Sequence, residues 1–161
     1  MKTLSVDDLS SLSSQAKQSP RKRMNRNLHS ELSDPIQRLA IAMEPDTYIR
    51  PHRHQQTWEL LTPLRGRFVV LTFDDEGVVV GRAVLGDGVS VVETPVATWH
   101  AVLSLDTDGV IFEVKHGPYA PFKEEDFASW SPSAEDDTQK ELMLWFRDAE
   151  VGQRWPGFGA R

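Results

Sequence analysis

His52 and His54 are separated by a single residue, Glu59 follows after four more, and His100 lies well downstream. On an extended strand, residues two apart point to the same face, so the first two imidazoles project together. The four residues between His54 and Glu59 are enough for a tight turn onto a neighbouring strand. Gly66, after six more, suits a hairpin position that needs a positive φ. His100 ends the run Pro95-Val96-Ala97-Thr98-Trp99-His100, which an antiparallel fold can lay beside the first pair. Three imidazoles and one carboxylate around a point are ligands for a first-row divalent metal, with positions left over for solvent or substrate. Glu59 stands between Trp58 and Leu60-Leu61. A carboxylate interrupting an apolar strand is costly to bury alone, and a metal removes that cost. This donor set suits iron, manganese, nickel, cobalt and zinc alike.

The elements that must position these residues follow from the pattern around them. Ile36 to Met43 sets Leu39, Ile41 and Met43 at period two, and Phe68 to Phe73 is a continuous apolar run closed by Asp74-Asp75-Glu76-Gly77. Val78 to Leu85 is closed by Gly86-Asp87-Gly88, and Val89 to Glu93, Trp99 to Leu105 and Val110 to Lys115 follow. Strands punctuated by turns about every 8–12 residues predict an all-β sandwich or barrel. Before them, Ser5 to Gln18 has a serine cap, two aspartates in its first turn and Leu4, Leu9 and Leu12 near helical spacing, predicting a short helix packed outside the domain. After them, Thr138 to Ala149 sets Leu142, Trp145, Phe146 and Ala149 on one side, predicting a helix docked on the barrel or on a second subunit. The tail from Gly152 to Arg161 has no periodicity and is expected to be loose. The expected division is a helical segment over 1–20, a β domain over 21–122 and an extension over 123–161.

Parity along the chain selects further candidates. Arg21, Arg23, Asn25, Asn27 and His29 share one face if their segment is extended, with Met24 and Leu28 on the other. That face is expected to line the barrel mouth and grip an anionic or sugar-like ligand; a solvated basic edge strand would carry the same residues. Tyr48 and Arg50 share parity with His52 and His54, and Arg50 could pair bidentately with a carboxylate or phosphate. Of Lys115 and His116 at the end of the last strand, one faces inward. His116 is the candidate acid–base or ligand-contacting group.

Composition narrows the class. The 161 residues are 39% hydrophobic and 26% charged, which suits one domain with an ordinary core. With no cysteine, disulfides, zinc fingers, iron–sulfur sites and thiol catalysis are excluded. The apolar runs are too short to span a bilayer as helices, and the first residues lack an apolar h-region, so the expectation is a cytoplasmic protein with no membrane partner. The net charge of −6 argues against a general nucleic-acid binder. It is uneven: residues 1–67 hold eleven Lys and Arg against seven Asp and Glu, and residues 68–161 hold seven against seventeen.

The run from His52 to Gly66 matches the first cupin motif, HxH-x4-E-x6-G, at every defining position. Pro95 to His100 is similar to the second, PxGxxH, with Ala97 in place of its glycine and Ser104 where it usually ends in Asn; Asp46 stands where the first motif usually begins with Gly. More closely, residues 21–119 resemble the WbuC-type cupin-fold metalloproteins, found in bacterial O-antigen and other surface-polysaccharide gene clusters. The resemblance is carried by Arg23-Met24-Asn25-Arg26-Asn27-Leu28-His29, Gln37-Arg38, Tyr48 to His54, Thr98-Trp99-His100 and Glu113 to Tyr119. It implies a single cupin jelly roll with a bound divalent metal and a homodimer. A role on a sugar or sugar-nucleotide intermediate of polysaccharide assembly is likewise implied, the metal polarising a carbonyl or hydroxyl oxygen. Two other readings fit the same ligands: a non-haem iron(II) dioxygenase, and a non-catalytic ligand-binding or regulatory module.

Overall fold

In the computed structural model, which describes residues 1–157, the chain folds into four layers: helix, sheet, sheet, helix. Eight strands lie among the described residues: β1 (Arg23–Asn27), β2 (Ile36–Met43), β3 (Glu59–Arg65), β4 (Phe68–Phe73), β5 (Val79–Leu85), β6 (Val92–Thr94), β7 (Trp99–Ser104) and β8 (Gly109–His116). Five form one antiparallel sheet in the order β1-β2-β8-β3-β6, and three form the other in the order β5-β4-β7. This is a single jelly-roll domain.

Side chains opposite one another in an antiparallel ladder share a face, so the register sorts each strand. Met43, Leu61 and Ile111 of the large sheet meet Phe68, Val70, Val102 and Leu85 of the small one in the core between the sheets. Ala40, Ala42 and Val110 point the other way, under helix α1 (Val6–Gln18), which lays Leu9, Leu12 and Ala16 on them. Val69, Leu71, Phe73, Ala101 and Leu103 face outward from the small sheet and are covered by Leu142 and Phe146 of helix α2 (Gln139–Asp148), with Ala149 beside them. Alanines on β2 are what allow a helix to lie close to that strand.

Helix α1 begins where the sequence places its cap. The Ser5 hydroxyl accepts from the Asp8 N–H, and the Asp8 carboxylate accepts in return from the Ser5 N–H. The Ser5 N–H and the Ser5 hydroxyl, both donating to the Asp8 carboxylate, together with Arg26 hold the Asp8 pKa down at about 2 from its ordinary 3.8. The carboxylate's contribution is therefore complete above its ordinary pKa and is lost as the pH falls through about 2.

Three local expectations are corrected. The strand expected over Val89 to Glu93 is displaced to Val92–Thr94, because the Val89 carbonyl is used to close the Gly86 turn. Pairing with β3 starts only at Val92. The tail expected to be loose is placed through residue 157: Gly152 and Val79 N–H groups exchange hydrogen bonds across it with Val79 and Gln153 carbonyls, and Trp155 is buried against α2 and the small sheet. Residues 158–161 lie outside the described residues. Finally, the segment 47–51 is not a strand, so the alternation of Tyr48 and Arg50 with the histidines does not run through it.

No helix among the described residues is long and apolar enough to cross a membrane. If α1 is an integral layer, Leu12→Ala, which removes a side chain 4% exposed, lowers stability of the whole domain by about 2–3 kcal/mol. Denaturant melts followed by near-ultraviolet circular dichroism, to which Trp99 of β7 contributes, check this; a helix merely appended would leave that transition unmoved.

Candidate metal centre

His52 lies on a short extended segment that adds to the free edge of β7. The N–H of His52 donates to the His100 carbonyl at 3.1 Å, and the N–H of His100 donates to the His52 carbonyl at 2.9 Å. Such a doubly bonded pair puts both side chains on one face, and the two rings stand 4.4 Å apart. A third bond, Ala97 N–H to the His54 carbonyl at 2.8 Å, carries the register on to His54. Glu59 opens β3 in the opposite sheet and reaches across the barrel. Its Oε1 is 3.1 Å from His54 Nε2 and its Oε2 is 3.2 Å from His100 Nε2.

His52 and His100 are held alike. Each ring places Nδ1 2.9 Å from the carbonyl two residues earlier, Arg50 and Thr98 respectively. A carbonyl can only accept, so Nδ1 carries a proton, and in the neutral ring Nε2 presents its lone pair to the shared space. The Nε2 of His100 is buried and has no hydrogen bond, since Glu59 lies within range but off its axis. Donor atoms of His52, His54 and His100 lie within 4.8 Å of one another. A common ion about 2.1 Å from each would need them within about 4.2 Å, an adjustment small enough for ring rotation.

The electrostatics fit a cation. Burial, and then the facing His100 ring, holds the His52 pKa well below 6.5, so it is neutral. Burial alone would also lower His100, but the Glu59 carboxylate outweighs it and the net shift is upward. Burial would raise Glu59, yet His100, His54 and Lys115 together pull it well below its ordinary value. A buried carboxylate is thus kept ionised by whatever positive charge surrounds it.

Beside Glu59 stand Lys115, which the sequence offered with His116 as an inward-facing residue, and Glu113, which it did not bring forward as a site residue. Lys115 Nζ is 3.8 Å from Glu59 Oε1 and 2.6 Å from Glu113 Oε1. Glu113 is 7% exposed; burial, reinforced by the Glu59 charge and opposed by Lys115, pushes its pKa up to about 7. The signal was present in β8, where Ile111, Glu113 and Lys115 alternate with Val110, Phe112 and Val114. The same alternation turns His116 away from Lys115's face: it is exposed, its ring 5.1 Å from Trp58. No sequence signal pointed to Phe122, whose ring lies 4.7 Å from His52 and 5.2 Å from His54.

The ligand-facing candidates are distributed as follows. Arg23, Asn25 and Asn27 are opposite Met43, Ile41 and Leu39 and so share the inward face of the edge strand β1. The Asn25 side chain donates to Asn27 Oδ1 at 2.8 Å. His29 lies beyond β1, buried, its Nδ1 accepting from the Arg38 N–H at 3.0 Å. Tyr48 packs against the α2 layer and donates to the Pro132 carbonyl at 2.8 Å. Arg50 reaches the extension: Glu124 at 2.9 Å, Ser131 Oγ at 3.1 Å, the Ala128 carbonyl at 3.4 Å and the Phe127 ring at 5.1 Å. The structure gathers the histidines and Glu59 in one place; it sets Tyr48 and Arg50 against the 124–132 segment.

Residues 4–85 match the family model described as Domain of unknown function (DUF6016). The chain belongs to this family. No curated protein matches it. Among solved structures it is similar to TT1209 from Thermus thermophilus, at 18% identity over 73% of this chain and 98% of that one, with a TM-score of 0.53. BH2720 from Bacillus halodurans matches at 17% identity over 68% and 80%, with a TM-score of 0.52. CapF, solved with the inhibitor 3-isopropenyl-tropolone, matches at 24% identity over 60% of this chain and 29% of its own, with a TM-score of 0.50. The shared fold is the cupin jelly roll, and this member of the DUF6016 family sets a cluster of three histidines within it.

The turn that leads into β7 departs from the glycine of the cupin motif. Ala97 has a φ of +59°, a left-handed conformation that costs an L-residue with a Cβ roughly 1–2 kcal/mol. Ala97→Gly is therefore expected to stabilise the domain by about 1 kcal/mol, less the extra entropy of a glycine in the unfolded chain. Equilibrium denaturation measures it, and a neutral or destabilising result would show that the turn holds no such strain.

Proposed function

We propose that this chain is a metal-binding cupin whose ion is held by His52, His54, His100 and Glu59, with a small-molecule site in the barrel beside it. The observation that carries the reading is the anchoring of His52 and His100: a backbone carbonyl stands 2.9 Å from each Nδ1, so that in the neutral rings two Nε2 lone pairs are aimed at one space. Glu59 supplies the anionic ligand, and Lys115, which it shares with Glu113, offsets the charge behind it. When bound, a divalent ion here would act as a Lewis acid toward an oxygen of the ligand. This chain's own residues orient the imidazoles, keep Glu59 ionised and offer Arg23, Asn25, Asn27 and His29 along one side as partners for an anionic or sugar-like ligand.

The finer reading is action on a sugar or sugar-nucleotide intermediate of surface-polysaccharide assembly. Its support is the resemblance of residues 21–119 to WbuC-type proteins, together with a polar edge at β1 suited to hydroxyl groups.

Elemental analysis of protein purified without added metal or chelator tests the centre. About one equivalent of a transition metal is expected. His52→Ala and His100→Ala should each weaken the affinity by at least about 100-fold, with the fold retained by circular dichroism. Wild-type protein that neither holds nor takes up metal would contradict the reading. The finer claim is tested by incubating loaded protein with nucleotide-linked hexoses and following ring protons by NMR, where metal-dependent conversion is expected. Oxygen consumption by the iron-loaded form, with no such conversion, would instead favour the dioxygenase reading.

A further inference from the structure

The extension that follows the last strand does not merely cover the outside of the domain; part of it sits on the histidines. Backbone groups of residues 126 and 128 bond to the histidine-bearing segment, Arg53 N–H to the Asp126 carbonyl and Ala128 N–H to the Pro51 carbonyl, both at 2.9 Å. Arg50 adds its ion pair to Glu124 and its stacking on Phe127. On the upstream side, Tyr119 N–H bonds the Leu32 carbonyl at 2.7 Å; immediately downstream, Lys123 N–H bonds the Asp126 carboxylate at 2.9 Å. Between these anchors, residues 120–122 make no backbone hydrogen bond among the described residues. Phe122 therefore sits on a short arm held at both ends and unbonded in the middle, with its ring against His52, His54 and Phe127. It does so while 42% exposed, so it is a layer one ring thick between two of the candidate ligands and solvent.

We propose that Phe122 is the gate of the metal centre, the side chain that must swing aside for an ion or a ligand to reach the histidines. This rests on the metal reading above. A gate and a ligand support differ in what they do to the bound state. A side chain that helps bind the ion stabilises the bound state and changes the affinity. One that only blocks the path raises the barrier in both directions and leaves the affinity alone. Phe122 offers no donor atom to an ion, its contacts are with ring faces and edges, and its backbone is unbonded among the described residues, so it can move without breaking a hydrogen bond. It would also admit small or flat ligands more readily than bulky ones, which makes it a specificity residue for whatever binds in the barrel.

Cobalt(II) is the probe, with its visible absorption bands reporting occupancy in the full-length chain. Uptake is followed after mixing with cobalt chloride, and release after mixing with excess dipicolinate. In Phe122→Ala both rates are expected to rise together by about tenfold, the order of the barrier that contact with two rings provides, with the dissociation constant unchanged. Phe122→Leu, which keeps an apolar side chain, should lie between Phe122→Ala and wild type, and it supplies the reading if the alanine variant fails to fold. Cobalt that exchanges at the wild-type rate in folded variants would overturn the proposal. So would a faster release accompanied by weaker affinity and unaltered uptake, since Phe122 would then support the site rather than gate it. Wild-type protein that takes up no cobalt would overturn the metal reading and this inference together, so the two failures are distinguishable.

Discussion

The site depends on the pair of backbone hydrogen bonds between His52 and His100. Neither residue could find the other through side-chain attraction, because two buried imidazoles gain little from one another and each loses water on burial. The backbones do the joining. Segment 51–54 closes the open edge of β7, satisfying groups that an edge strand would otherwise leave bare, and the narrow pairing forces both rings to one face. His54 follows by parity, and Glu59 follows because β3 begins directly across the barrel. Everything polar at the centre is a consequence of where a sheet edge is completed.

Placing those groups there has an energetic consequence. Glu59 is 4% exposed and Glu113 is 7% exposed, and two buried carboxylates cannot both be carried by Lys115 alone. The protein's answer is graded: Glu59 is held ionised by imidazoles and Lys115, while burial pushes Glu113 up to about 7. A cation at the histidines would complete the balance on the Glu59 side. Leu61 and Ile111 stand two residues along β3 and β8 from Glu59 and Glu113 and pack with Phe68 and Val70 in the core, so the polar end of the barrel is bounded by apolar side chains.

Most of the fold and the core of the site could be read directly from the residues. The alternation of Leu39, Ile41 and Met43, the apolar run of β4 and the glycine turns located the strands, because each is a local signal with a period of two or a fixed φ; Gly66 indeed stands at +75°. The spacing of His52, His54 and Glu59 was legible for the same reason. What escaped was set by distant pairing. Tyr48 and Arg50 obey parity only within a strand, and 47–51 is not one. The tail's Trp155 is buried by β5 and α2, which no window of sequence contains. Phe122 meets His52 only because residues 126–128 add to the histidine segment, an alignment across more than seventy residues that leaves no local trace.

The central claim is that three imidazoles and one carboxylate converge on a single ion. X-ray absorption spectroscopy of the cobalt-loaded protein tests it most directly. The account predicts a first shell containing three histidine nitrogens, seen through the outer-shell scattering of their rings, with oxygen in the remaining positions, and loss of one ring contribution in His100→Ala. A first shell of oxygen alone, unchanged in that variant, would contradict it.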